Sequence, residues 1–124
     1  MDKDFYQKAL EDIEFIDKQT DNSEKFGIYR VPSKSGCVEF VKLYKNITYK
    51  PHIHDRASAR FYFFKGAGLL IYNDQRFPYQ EGSEFYVPAG VLHGFEQESE
   101  TIFLSVQSSP IEDRETGLID IRYE

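Results

Sequence analysis

The sequence predicts an all-β domain, a sandwich or barrel of short strands, preceded by one N-terminal amphipathic helix. Three observations carry that reading. Aromatic residues make up 16% of the 124 residues, from eleven Phe and nine Tyr, and such side chains fit pleated, half-buried surfaces. Short apolar or alternating runs recur at spacings of roughly eight to twelve residues, closed by Gly, Pro, Asn or Asp. No strand–helix alternation supports a parallel sheet.

The elements follow in chain order. Over residues 3–19, Phe5, Ala9, Ile13 and Ile16 recur three or four apart, with acids and lysines on the other face, which predicts a helix packed over the domain or a partner subunit. Asp21-Asn22-Ser23 ends it as a turn. Residues 1–22 are therefore read as helix and turn, and 23–124 as one barrel domain. Strands are expected over 26–31, up to Pro32, and over 37–44 after the loop 33–36. A further strand, expected over 47–54, carries two histidines. Further strands are expected over 60–64, 69–72, 76–79, 84–87, 93–97, 101–106 and 118–123. The run 61–64 is apolar on both faces, so its outer face needs cover from the helix or a second copy, and a homodimer is expected.

Composition bounds the function. A net charge of −6 and a pI near 5.1 lack the basic footprint of a nucleic-acid binder. No apolar run approaches the roughly 20 residues a spanning helix requires. The acidic start Met1-Asp2-Lys3-Asp4 has no signal-peptide core, so a cytoplasmic location is expected, with no membrane partner. Cys37 is the single cysteine, read as a buried inert thiol.

The chemistry gathers on the three histidines. His52 and His54 lie two apart, so an extended segment projects both rings to one face. His93 follows in Val87-Pro88-Ala89-Gly90-Val91-Leu92-His93. Together they can offer three neutral nitrogens to one side of an ion and leave coordination positions open.

The spacing around them resembles the cupin superfamily. The first cupin motif runs Gly, five residues, His-x-His, three or four residues, Glu, six residues, Gly; His52, His54 and Gly66 fall on it. The second runs Gly, five residues, Pro-x-Gly, two residues, His, three residues, Asn. Gly82, Pro88, Gly90 and His93 match it, with Gln97 where Asn is usual. The motifs span residues 46–97. The resemblance implies a cupin-type antiparallel β-barrel, or double-sheet jelly roll, holding one divalent transition metal (Fe, Zn, Ni, Mn or Cu) on His52, His54 and His93.

Two positions depart from the pattern. Asn46 replaces the leading glycine, and Ala59 stands where the glutamate ligand is usual. Asp55 should point away, and Glu39 or Glu84 reaches inward only if strand register allows. Three neutral imidazoles leave the ion's full charge uncompensated, which favours an anionic substrate, a thiolate or hydroxide. Related three-histidine cupins include thiol dioxygenases. The resemblance thus implies an oxygenase acting on a small anionic or thiol substrate. A non-catalytic metal or small-ligand binding module, and a sugar or keto-acid isomerase or lyase, are the alternatives.

With odd residues inward, Phe61 and Phe63 line the pocket while Tyr62 and Phe64 face out. Tyr86, Phe95 and Gln97 flank the second motif, and Arg56 and Arg60 lie near the mouth to steer an anion. Phe61, Phe63, Tyr86, Phe95, Gln97 and Arg60 are the expected contacts of a small-molecule ligand. Their plainer roles are core for the aromatics and solvated surface for the arginines.

Overall fold

The computed structural model describes residues 8, 10–20, 22–32, 37–112, 115, 116 and 118–123. Among them are nine strands: β1 (Ile16–Gln19), β2 (Lys25–Arg30), β3 (Val38–Leu43), β4 (Ala59–Lys65), β5 (Gly68–Tyr72), β6 (Gln75–Tyr79), β7 (Glu84–Val87), β8 (His93–Gln97) and β9 (Thr101–Gln107). Six form one sheet in the order β1-β2-β3-β9-β4-β7, and three form a second, β6-β5-β8. Every pairing between these strands is antiparallel. Short strands with one apolar face solve burial by stacking two such sheets.

The turns use the expected chemistry. Gly66 and Gly82 both take positive φ, at 94° and 87°, as strand-closing glycines do. Asn73 (φ 54°) opens the two-residue turn between Tyr72 and Gln75. The predicted loop 33–36 lies outside the described residues.

Two expectations are corrected here. The predicted helix over 3–19 does not extend that far: residues 8, 10 and 11 are helical, residues 1–7 and 9 lie outside the described set, and the chain is extended from Ile16. Strand β1 pairs with β2 through Ile16↔Ile28 and Lys18↔Phe26, so the sheet begins ahead of residue 23. Pairing to a neighbouring strand outweighs a local period that Ile13 and Ile16 also satisfy. The expected strands over 47–54 and 118–123 are reduced to isolated bridges, at His52 and Ile53 and at Ile119 and Arg122.

Between the sheets, register sorts the inner face into rows. Arg30, Glu39, Ser105 and Phe61 are aligned across β2, β3, β9 and β4; Ile28, Val41, Phe103 and Phe63 form the next row. Phe61, Phe63, Leu70, Phe95 and Phe103 are buried at one end of the interior. Phe63 stacks on Tyr79 at 4.3 Å between ring centroids, and Phe95 on Phe103 at 5.0 Å. These rings close one end of the interior, and Phe61, Phe95 and Phe103 also face the cavity beyond it.

Candidate metal centre

Two short backbone pairings bring the histidines together. His52 N–H donates to the His93 carbonyl (2.8 Å), and His93 N–H returns to the His52 carbonyl (2.9 Å). Two residues on, His54 projects to the same side. Its carbonyl accepts the Gly90 N–H at 2.8 Å, at the Pro88-Ala89-Gly90 bend where Gly90 has φ 83°. The three rings stand with centroids 4.5 to 4.9 Å apart, and each offers a donor atom within 4.8 Å of the others.

Backbone carbonyls fix which nitrogen points inward. A carbonyl oxygen only accepts, so Nδ1 of His54, 2.6 Å from the Asp120 carbonyl, carries its proton. The same holds for Nδ1 of His93, 3.0 Å from the Val91 carbonyl, and the His52 ring bonds the Lys50 backbone. The rings of His54 and His93 thus present Nε2 as a lone pair, held in orientation by carbonyls as metal-bound histidines are. Nε2 of His52 and Nε2 of His54 lie 3.2 Å apart, lone pair against lone pair. A cation between them removes that repulsion. Two nitrogens each about 2.1 Å from one ion stand about 3.0 Å apart in octahedral and about 3.4 Å in tetrahedral geometry, so the spacing of this pair fits.

A proton is the poorer solution. Burial, then the neighbouring rings His93 and His54, push His52 well below its ordinary pKa. Burial lowers His54 as well, against partial compensation from the Asp120 carbonyl and nearby carboxylates. Burial and His54 bring His93 down to about 4. Neutral imidazoles at physiological pH are the state a divalent ion needs.

The rings form one wall of a cavity of about 350 Å³. Phe26, Ile28, Val41, Phe61, Phe95 and Phe103 give it an apolar body. At one side stands a polar group: Glu39, buried, accepts from Gln107 Nε2 (2.9 Å), which also donates to Ser105 Oγ (3.0 Å). Arg30 lies 3.4 Å from Glu39 and 2.7 Å from Glu112. Ala59 pairs in register with Gln107, so Gln107 and Glu39 occupy the neighbourhood of the missing glutamate. Among the described residues the ligand cluster itself contains the three histidines and no carboxylate.

A family profile described as a cupin domain matches residues 40–107, more than half of the chain. The chain belongs to the cupin family.

This cupin is also 27% identical over 110 residues to an uncharacterized protein of Aquifex aeolicus, covering 86% of this chain and 88% of the relative. Among solved structures it resembles a predicted oxalate decarboxylase from Thermotoga maritima (TM-score 0.66, 18% identity, 78% and 93% of the two chains). KdgF from Halomonas sp. is similar (TM-score 0.62, 17% identity, 81% and 89%). So is part of the salicylate 1,2-dioxygenase of Pseudoaminobacter salicylatoxidans (TM-score 0.55, 24% identity), where 68% of the cupin aligns with 22% of that longer chain. At these identities the structural likeness is one of fold.

The cupin's expected ligand contacts divide. Phe61 and Phe95 line the cavity, whereas Phe63 is packed beneath it among Tyr79, Phe85 and Phe103. Arg60 and Tyr86 stand on the outer face, cross-strand partners whose guanidinium and ring lie 5.0 Å apart; alternation along β4 turns them away whenever Phe61 points in. Gln97 ties Nε2 to the carbonyls of Tyr44 and Ile47 and is a structural latch. Arg56 is an exposed residue beyond the cavity lining. Arg30, Gln107 and Asp120 were not foreseen. Glu39 does face inward, but Val38 to Leu43 alternates polar and apolar residues on both faces, so the sequence alone left its direction open.

Proposed function

We propose that this cupin is a metal-dependent enzyme acting on a small organic anion. One observation supports the reading above the others: three inward Nε2 atoms open onto a cavity large enough for a small molecule, where a structural metal site would be closed by a fourth protein ligand. A bound first-row ion would act as a Lewis acid toward an anionic oxygen or sulfur and, if redox-active, would support oxygen chemistry. The cupin's own residues supply the rest. The histidines stay neutral, the aromatic body excludes water from a substrate's apolar part, and Glu39 offers an acceptor. Salicylate and oxalate, in the names of two similar structures, are carboxylates, in keeping with a centre that lacks a carboxylate ligand.

Oxygenase chemistry on a small anionic or thiol substrate is the first reaction to test. Glu39 favours a second, isomerase or lyase chemistry on a sugar or keto acid, since a carboxylate in the cavity can take a proton from a substrate carbon or hydroxyl. Metal analysis of the protein as purified, then oxygen uptake with a panel of thiols and keto acids, separates these. A stoichiometric iron with oxygen consumption supports the oxygenase. Metal with neither oxygen uptake nor substrate isomerisation or cleavage makes the cupin a binding module, and no metal at all sinks the reading.

We further propose a homodimer through the outer face of the six-stranded sheet. Alternation places Phe40, Tyr62 and Leu104 there in register, beside the exposed Val106 and Tyr86.

A further inference from the structure

The segment 118–123 follows both sheets and supplies no metal ligand, yet one of its residues is bound to the centre at two points. Asp120 is buried. Its carboxylate accepts three successive amides of the turn that leaves His54: Asp55 N at 2.8 Å, Arg56 N at 2.9 Å and Ala57 N at 2.9 Å. Its main-chain carbonyl accepts Nδ1–H of His54 at 2.6 Å. On the other side of His54, Ile53 and Arg122 exchange backbone hydrogen bonds at 2.8 and 2.9 Å. Three amides converging on one anion form a concave nest of donors, and the carboxylate fills it as acceptor of charge-assisted bonds. The backbone after His54 and the ring of His54 are thus held by the same residue.

We propose that Asp120 is the positioning residue of the metal centre, fixing the ring plane and tautomer of His54. The inference rests on the metal reading above and extends it to a residue that touches no ion. Because both contacts come from one residue, moving the side chain off the turn also moves the carbonyl off the ring. The same strap places Ile121 and Tyr123 on the cavity wall, with Tyr123 6.2 Å from the His52 ring between centroids.

The test is Co²⁺ titration of the full chain, read by affinity and by the visible ligand-field bands, with thermal unfolding of the metal-free protein in parallel. Asp120→Ala should weaken Co²⁺ binding roughly 10- to 100-fold and shift the bands, because the His54 ring turns. Asp120→Asn keeps the size and one acceptor oxygen; it should lose affinity in the same direction and serves if the alanine variant does not fold. Arg122→Ala removes the strap's exposed ion pair with Asp55 and leaves both Asp120 contacts in place. It should keep affinity within about fivefold, as surface ion pairs are weak. Unchanged affinity and bands in the folded Asp120 variants overturn the inference. An equal loss in Arg122→Ala overturns it too, since strap rigidity would then be the cause. If the unaltered protein binds no Co²⁺, the metal reading fails and takes this inference with it.

Discussion

Acidification of the metal-free protein should expose the cost of keeping the histidines neutral. His93 is 2% exposed, and burial with the neighbouring His54 lowers it from 6.5 to about 4. The unfolded chain takes up a proton on this ring near pH 6.5, while the folded chain resists until about pH 4. Between those values the unfolded state binds more protons, so stability falls as pH falls. Each pH unit carries about 1.4 kcal/mol, so the window of about 2.5 units amounts to about 3 kcal/mol from His93 alone. His52 and His54 are lowered in the same direction and add to it. The assay is urea unfolding of chelator-treated protein at pH 7.5, 5.5 and 4.5, beside His93→Gln. Carboxylates titrate in both proteins, so the difference in slope reports His93 together with its effect on His52. The wild type should lose about 1.4 kcal/mol more than the variant by pH 5.5 and about 2.5 kcal/mol more by pH 4.5. Parallel stability–pH curves would refute the claim that this ring is held neutral by the fold.

Other substitutions separate the centre from its surroundings. His52→Ala or His93→Ala should abolish stoichiometric metal in elemental analysis. Glu39→Gln should leave metal content unchanged and, once a substrate is found, lower turnover about 100-fold or more if Glu39 handles a proton; unchanged turnover would remove it from the chemistry. Arg60→Ala should leave metal content and turnover untouched and cost only about 0.5 to 1 kcal/mol of stability by denaturant unfolding, as an exposed cation–π pair predicts. Gly68→Ala should cost about 3 kcal/mol or more, because its Cβ would meet the Glu96 carbonyl at 2.4 Å and Gln97 Cα at 2.8 Å; a smaller loss would mean that β5 and β8 separate easily.

The centre was more legible in the sequence than its surroundings. His52-Ile53-His54 could be read because a period of two places alternate side chains on one face whatever the sheet does next. His93 could be read because Gly82, Pro88 and Gly90 set its distance. The parity of Phe61 and Phe63 was legible too, but not their depth, which depends on Tyr79 and Phe103 arriving from other strands. Ile16 was read into a helix because its partner, Ile28, lies across a turn. Glu39 was undecided and Asp120 invisible for a related reason. What each does depends on residues 68 and 66 positions away, Gln107 and His54, and no local pattern records such a pairing.

The two sheets carry different halves of the proposed chemistry. His93 belongs to the three-stranded sheet, and His52 pairs with it. Arg30, Glu39, Ser105 and Gln107 belong to the six-stranded sheet. The span from the histidines to the carboxylate is therefore an inter-sheet distance, set by how the layers are pinned rather than by either group's own neighbours. Gln97 is one such pin, leaving β8 to grip the carbonyls of Tyr44 and Ile47 beyond the end of β3. A change of length or donor at this position would act as a gauge adjustment, altering which molecules can bridge the gap while leaving the ion's ligands and Glu39 intact.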